Sequence, residues 1–258
     1  MSLRWNKYVA VIGTEVVIRQ SGNPIAQAQK PGLSSFGNSV ECCATLDALI
    51  ATLPRSKLAM LDVIEVALGY PYVNHMILPW QDEIISPADR LAYAESMLEQ
   101  HYGIVRSDWY CEISQEKFGC PAIASAIRRD IVDDIITVCK KHKLRLQRVQ
   151  TLLSDTINRH TGVLHTDAVF VVRQLEGYEF AFRQHGIWCK AFTLPGSGEG
   201  PAHHVMSASI MANFFPVNVY LSDYSVVSTL PPVLATHPMT RSSQPELVVA
   251  QESTHASL

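Results

Sequence analysis

Few side chains in this chain have the type and spacing that chemistry requires, and two acids near apolar runs are the first candidates. Asp62 directly precedes one such run and Asp167 another. A metal-dependent nuclease needs several carboxylates that converge on one sheet edge. Glu65, the acid nearest to Asp62, falls on the opposite face of the same predicted strand, so these two cannot act as a pair. The nuclease hypothesis therefore requires Asp62 and Asp167 to lie together.

Histidines and cysteines do not form a metal-binding pattern. His203 and His204 are adjacent, so both rings cannot easily face one ion. The six cysteines contain no C-x-x-C pair and mostly lie in apolar settings, which is typical of buried free thiols. We predict no metal site. The remaining histidines that we considered are scattered, mostly at element ends: His75, His101, His142, His160, His165 and His185.

Nucleophilic and acid–base motifs are also missing from the sequence. It contains no G-x-S-x-G elbow, and no cysteine stands in a recognisable nucleophile motif. The acidic pair Asp133-Asp134 is better explained as the solvated side of an amphipathic helix. We therefore assign no catalytic residue and predict that the protein is not an enzyme.

Two glycine-containing segments are the only candidates for phosphate binding. One is Gly13-Thr14 after the first apolar run, and the other is Gly196-Ser197-Gly198-Glu199-Gly200. Neither matches a P-loop or a dinucleotide-binding fingerprint. The second precedes a predicted helix, whose amides could hold an anion, but Glu199 would repel a phosphate and a solvated linker is the alternative. Cofactor-binding residues stay unassigned.

Composition favours a protein that binds another protein. The formal net charge is −3 and the pI about 6.4, so no basic field attracts nucleic acid. Charged residues make up 17% of the chain, against roughly 25% in an average soluble protein, and hydrophobic residues make up 47%. No apolar run reaches the roughly 20 residues of a membrane span, and the N-terminal run predicts a strand rather than a signal peptide. We expect a cytoplasmic protein.

The first half of the chain predicts strands followed by helices. Residues 7–20 predict a hairpin that turns at Gly13-Thr14, and residues 21–41 predict a loop. Thr45 is the predicted N-cap of a helix over 46–53. Two apolar runs, 63–68 and 73–78, flank a Gly-Tyr-Pro turn and predict a second hairpin. The clearest helix follows, with Ser86 as N-cap, Pro87 in the first turn and Gly103 after its end.

The pattern then repeats. Strands over 109–113 and 121–127, turning at Gly119, precede an amphipathic helix over 129–143, a strand over 144–150 and a helix over 152–160. A three-stranded meander spans 167–194, and Pro201 opens a helix that runs to about 213. A last strand is predicted over 217–221. From about residue 228 the Ser-, Thr-, Pro- and Gln-rich composition predicts a disordered tail.

Several of these motifs together resemble a known family. The chain resembles the cytoplasmic actin-like proteins of bacterial type IV pilus and type II secretion assembly, namely PilM-like proteins and the cytoplasmic domain of GspL-like proteins. The resemblance covers roughly residues 5–222. The matching segments are Val63–Leu68, Val73–Trp80, Ala92-Tyr93-Ala94, Tyr102-Gly103, the helix 129–143 with Leu144-Arg145-Leu146, and the meander 167–194.

The resemblance implies an α/β, two-lobed, ribonuclease-H-like or actin-like fold with mixed sheets. We expect a first lobe over 1–160, a smaller second lobe over 161–227 and a disordered tail over 228–258. The implied function is a non-enzymatic cytoplasmic scaffold that binds a short cytoplasmic segment of an inner-membrane assembly protein. An assembly ATPase is an additional expected partner, nucleic acid is not, and a homo-oligomer is left open. The protein would meet the membrane only through its partners.

An ATP-binding switch is the alternative that the same resemblance offers, ahead of a ribonuclease-H-like nuclease. Nucleotide-binding members of this fold have an acidic-glycine motif after the first strand and another near the start of the second lobe. This chain has Val11-Ile12-Gly13-Thr14 at the first place, without the acid, and Asp167-Ala168-Val169-Phe170 at the second, without the glycine. These departures argue against ATP binding, and we expect no cofactor.

Overall fold

The computed structural model describes residues 6–13, 15–20, 23–28, 39–56, 61–114, 117–160, 165–196, 198–224 and 235–238. Five α-helices lie in this part of the chain: α1 (Ser39–Thr52), α2 (Pro87–Tyr102), α3 (Arg129–Lys141), α4 (Leu152–His160) and α5 (Pro201–Ala212). The strands there are β1 (Lys7–Ile12), β2 (Val16–Gln20), β3 (Asn23–Ala28), β4 (Val63–Leu68), β5 (Val73–Leu78), β6 (Trp109–Ile113), β7 (Ala122–Arg128), β8 (Arg145–Thr151), β9 (Ala168–Arg173), β10 (Gly177–Gln184), β11 (Ile187–Pro195), β12 (Asn218–Asp223) and β13 (Ala235–Pro238).

Two five-stranded sheets share one strand order. The first sheet runs β3-β2-β1-β4-β8 and the second runs β11-β10-β9-β12-β13. Each contains an antiparallel meander whose first strand pairs in parallel with the next strand of the sheet, β1 with β4 and β9 with β12. The predicted repetition of strands followed by a helix in the two halves agrees with this architecture, although β3, which completes the first meander, lies in the predicted loop 21–41.

Apolar faces on both sides of these sheets form the core. Helices α1 and α3 pack on the first sheet, where Leu46 and Ile135 join a single cluster with Ile12. Helix α5 covers one face of the second sheet through a separate cluster. Helix α4 is different, because its Leu153 belongs to a cluster that contains both Ala67 of the first sheet and several residues of the second. Helix α4 thus lies where the two sheets meet.

A small third sheet, ordered β5-β7-β6, corrects the second predicted hairpin. β4 and β5 do not pair with each other: β4 lies between β1 and β8 in the first sheet, whereas β5 pairs antiparallel with β7. Five of the six β4 residues are buried, as expected of a central strand covered on both faces. Helix α2 covers one face of the small sheet through Ala94 and Leu98.

Three further predictions differ from the structure. The predicted loop 21–41 contains β3, and α1 begins at Ser39 rather than after Thr45. Thr45 lies inside this helix, where its hydroxyl donates to the carbonyl of Glu41 instead of capping the first turn. In the predicted tail 228–258, Ala235–Pro238 forms an edge strand on β12, and the rest lies outside the described residues. Of the described helices, none is long and apolar enough to cross a membrane.

Helix α2 begins and ends as the sequence predicts. The Ser86 hydroxyl accepts a hydrogen bond of 3.1 Å from the Asp89 N–H, which satisfies one of the free donors of the first turn. Pro87 lies in that turn, and Gly103 closes the helix in the left-handed conformation with φ 64°. A residue without a Cβ suits this position because other residues are strained at positive φ.

Replacing the cap tests how much this exposed hydrogen bond contributes. We expect Ser86→Ala to lower the free energy of unfolding by about 1 kcal/mol, because alanine leaves the Asp89 N–H without its acceptor. Ser86→Gly, the matched control, should lose only a few tenths of a kcal/mol, since glycine tolerates the N-cap backbone and admits water. Urea denaturation measures both, and equal losses in the two variants would contradict the capping role.

Candidate functional site

A group of buried polar side chains lies where the three sheets and α4 come together. We call it the junction, and it consists of the side chains of His75, Ser125, Gln174 and Glu179 together with the backbone N–H groups of Tyr70 and Leu153. Among these, the side chains of His75 and Glu179 are completely buried, and Ser125 and Gln174 expose 1% and 4% of their surface. Buried polar groups are costly unless they are hydrogen-bonded, so the contacts of the junction determine what it does.

The Glu179 carboxylate is the centre of the junction. One of its oxygens accepts from the Gln174 side-chain amide at 2.7 Å and from the Tyr70 N–H at 3.3 Å. The other accepts from His75 Nε2 at 2.9 Å and from the Leu153 N–H at 3.2 Å. Leu153 is the second residue of α4, so its N–H is one of the free donors at the positive end of that helix.

Strand register explains how the side chains meet. His75 of β5 lies directly opposite Ser125 of β7, and Glu112 of β6 lies opposite Ser125 on the other side. Glu179 lies on β10 beside Phe180, which faces α5, so the alternation of the strand turns Glu179 towards α4. Sequence analysis missed Glu179 because an acid that alternates with aromatic residues usually marks a solvated face.

The junction contains a hydrogen-bonded serine, histidine and glutamate, a combination that can activate a nucleophile. His75 Nδ1 lies 2.8 Å from Ser125 Oγ, and His75 Nε2 lies 2.9 Å from Glu179. Catalysis would also require a substrate carbonyl to reach Ser125 Oγ. Ser125 is 99% covered by protein, so no substrate reaches it in this arrangement. These three side chains therefore serve to satisfy one another's hydrogen bonds.

Two glycines make room for the side chain of Gln174. A Cβ added at Gly13 would lie 1.7 Å from Gln174 Oε1, and one added at Gly69 would lie 2.2 Å from Gln174 Nε2. A third glycine, Gly177, packs against the Tyr70 ring in the same way. The turn after β1 thus touches the turn after β9, and the side chain of Gln174 fills the space between them.

This contact corrects the position that sequence analysis gave to the second nucleotide-binding motif of the fold. Sequence analysis matched Gly13 with residues 167–170, which lead into β9, and the Asp167 carboxylate there accepts from the His185 N–H at 2.7 Å. The shared strand order instead makes residues 174–176, between β9 and β10, the counterpart of the Gly13 turn between β1 and β2. An alignment of the two meanders strand by strand could have shown this.

The two acids of the nuclease hypothesis do not form a site. Asp62 precedes β4 of the first sheet and accepts from the N–H groups of Asn6 at 2.9 Å and Ser56 at 3.0 Å. Burial alone would raise the pKa of Asp62, but these hydrogen bonds and the nearby Arg55 guanidinium lower it. Asp167 directly precedes β9 of the second sheet and shares none of these partners. Across the described residues, no group of three or more His, Cys, Asp or Glu side chains could hold a metal ion.

The remaining candidate residues have structural partners. His203 pairs with Glu199, and His204 stacks on Tyr178 with ring centroids 4.2 Å apart. Gly200 is the N-cap of α5, so the Glu199–His203 pair lies at the end of the helix where an anion was considered. All six cysteines are free; Cys42, Cys43 and Cys139 are buried, and the other three are half-buried. Burial raises the pKa of Cys139 to about 11 and that of Cys43 to about 12, so these thiols stay protonated at neutral pH.

Comparison with solved structures identifies the fold. One similar structure is a Bacteroides thetaiotaomicron VPI-5482 protein with an actin-like ATPase fold and unknown function, at a TM-score of 0.56 and 10% identity over 88% of this chain and 84% of that one. Another is the cytoplasmic domain of EpsL, an inner-membrane component of the Vibrio cholerae type II secretion system. Its TM-score is 0.52, with 9% identity over 86% of this chain and 83% of that one. A PilM–PilN type IV pilus biogenesis complex has a TM-score of 0.46 and 12% identity over 81% of this chain and 66% of that one.

These similarities confirm the predicted actin-like α/β fold. Their sequence identities are too low to show more than the fold. No protein-family model matches the chain, and neither does any curated protein. Function must therefore be argued from the residues of this chain.

The fit of Gln174 between the glycines can be measured by a double-mutant cycle. We expect Gly69→Ala to lower the free energy of unfolding by about 1–3 kcal/mol, because its methyl group overlaps the Gln174 amide. In a Gln174→Ala background, Gly69→Ala should leave the free energy of unfolding unchanged or raise it slightly. The overlapping atoms are then gone, and alanine restricts the unfolded chain more than glycine does. Urea denaturation of the four proteins gives the coupling energy. Additive effects would show that Gln174 does not fill this space.

Proposed function

We propose that this protein is a non-enzymatic scaffold that binds a short cytoplasmic segment of an inner-membrane protein in a pilus or secretion assembly. The observation that carries the proposal is that Gln174 fills the space beside Gly13 and Gly69, where an actin-like switch would need room for phosphates. The protein then has the fold without the ligand site. The shared fold of the EpsL cytoplasmic domain, which belongs to an inner-membrane secretion component, supports the assignment to this kind of machine.

Charge at the junction also disfavours a nucleotide. Phosphate sites in proteins offer backbone N–H groups and cations to the anion. Here the Leu153 and Tyr70 N–H groups already donate to the Glu179 carboxylate. A second anion beside this buried carboxylate would be repelled in a medium of low dielectric constant. The ATP-binding switch is therefore the weaker alternative.

Calorimetry separates the scaffold from the ATP switch. We expect titration of the intact chain with Mg²⁺ and ATP to give no binding tighter than millimolar. The Gln174 side chain fills the space that phosphates would need, and the Glu179 carboxylate would repel them. An actin-like ATPase titrated in the same buffer provides the positive control. Saturable one-to-one binding in the micromolar range would contradict the proposal and favour the switch.

Exposed apolar side chains at the end of α5 provide a surface for a partner. Ile210 and Met211 expose 63% and 61% of their area, and Phe215 and Val217 expose 56% and 54%. The sequence carries no Asp, Glu, Lys or Arg from residue 200 to residue 222. Protein interfaces concentrate apolar side chains and exclude charge at their centre. We therefore expect the partner segment to contact these four residues, which we call the α5 surface.

Affinity capture from detergent-solubilised cells tests this function. We expect the tagged chain to recover an inner-membrane component of a pilus or secretion system, and an Ile210→Asp/Phe215→Asp variant to lose it, because the charges oppose burial of the α5 surface. Ile85→Asp is the matched control, since Ile85 is 68% exposed and lies before α2. Recovery of no such component, with the fold verified by circular dichroism, would count against the scaffold.

A further inference from the structure

The junction has the composition of a complete anion-binding site. Its four donors are the side chains of His75 and Gln174 and the backbone N–H groups of Tyr70 and Leu153, at 2.7 to 3.3 Å from the Glu179 oxygens. Both donor side chains are more than nine-tenths buried. Each Glu179 oxygen receives two donors, which matches the geometry of a carboxylate.

The donors come from separate parts of the chain. Tyr70 belongs to the turn between β4 and β5, His75 to the small sheet, Leu153 to α4 and Gln174 to the turn after β9. His75 and Tyr70 are 104 and 109 residues away from Glu179 in sequence. A single carboxylate therefore connects the small sheet, the β4–β5 turn, α4 and the second sheet.

We propose that the junction is a carboxylate-binding site whose permanent occupant is the protein's own Glu179. The occupied site holds these elements together without an external ligand. When the Glu179 side chain is shortened, the four donors remain and bind a small monocarboxylate from solution. This property concerns how the sheets are held, and it applies whether or not the protein binds a pilus or secretion component.

Acetate is the probe that fits the vacated space. Glu179→Ala removes a CH₂ group and a carboxylate, and acetate consists of the same heavy atoms with one additional hydrogen. Acetamide has nearly the same shape but carries no charge and offers only one acceptor oxygen. Propionate is one methylene longer than the space left by the substitution, and a closely packed interior resists such additions.

Thermal unfolding of the full chain with Glu179→Ala tests the proposal. The melting temperature should fall by several degrees or more relative to the unaltered protein, because four buried donors lose their acceptor. Sodium acetate should raise it again by a few degrees in a saturable manner, with a Kd of roughly millimolar order for so small a ligand. Acetamide, and sodium chloride at matched ionic strength, should have no effect, and propionate should act more weakly than acetate.

Glu179→Gln is the matched control because its side chain still fills the site. We expect this variant to melt at a lower temperature than the unaltered protein. Acetate should change the melting temperature of neither protein. The proposal fails if acetate and acetamide stabilise Glu179→Ala equally, or if acetate stabilises Glu179→Gln to the same extent. It also fails if Glu179→Ala melts like the unaltered protein, or does not refold at any acetate concentration while Glu179→Gln does.

Discussion

Burial of the Glu179 carboxylate constrains the arrangement of the whole molecule. A carboxylate without water is stable only where enough donors surround it, and one neighbour in sequence cannot supply them. Gln174 is only five residues away, but the other three donors come from 26 to 109 residues away. The small sheet, α4 and the β4–β5 turn must therefore all be in place around the second sheet for the carboxylate to keep its donors, which ties the packing of these elements to one charge.

The two five-stranded sheets differ at one turn, and this difference fills the space where the two sheets meet. The sheets have the same strand order, yet the turn after β1 has Gly13 where the turn after β9 begins with Gln174. Only a residue without a Cβ leaves room for that side chain, since a Cβ at Gly13 would lie 1.7 Å from Gln174 Oε1. Gly69, which also lacks a Cβ, leaves room for the Gln174 amide on its other side. Two glycines and one glutamine together close the gap between the sheets.

Local signals predicted the elements well, and long-range contacts explain what they missed. The α2 caps, the β1–β2 hairpin and the meander follow from neighbouring residues, so the sequence was enough to locate them. The partners of β4 and β5 depend on β1 and β7, which no local pattern specifies. The junction was missed for the same reason, because His75 and Glu179 look like polar residues on solvated faces until α4 and the small sheet cover them.

The proposed occupation of the junction by Glu179 changes what the rest of the surface must do. A nucleotide switch alters its surface by opening and closing around its ligand, so recognition depends on conformation. On the proposal that the protein's own carboxylate permanently occupies the junction, no ligand would bind one arrangement better than another, and the same surface would always be presented. Recognition must then come from the exposed side chains themselves. The uncharged α5 surface, with Ile210 and Phe215 more than half exposed, has the character that such constant recognition requires.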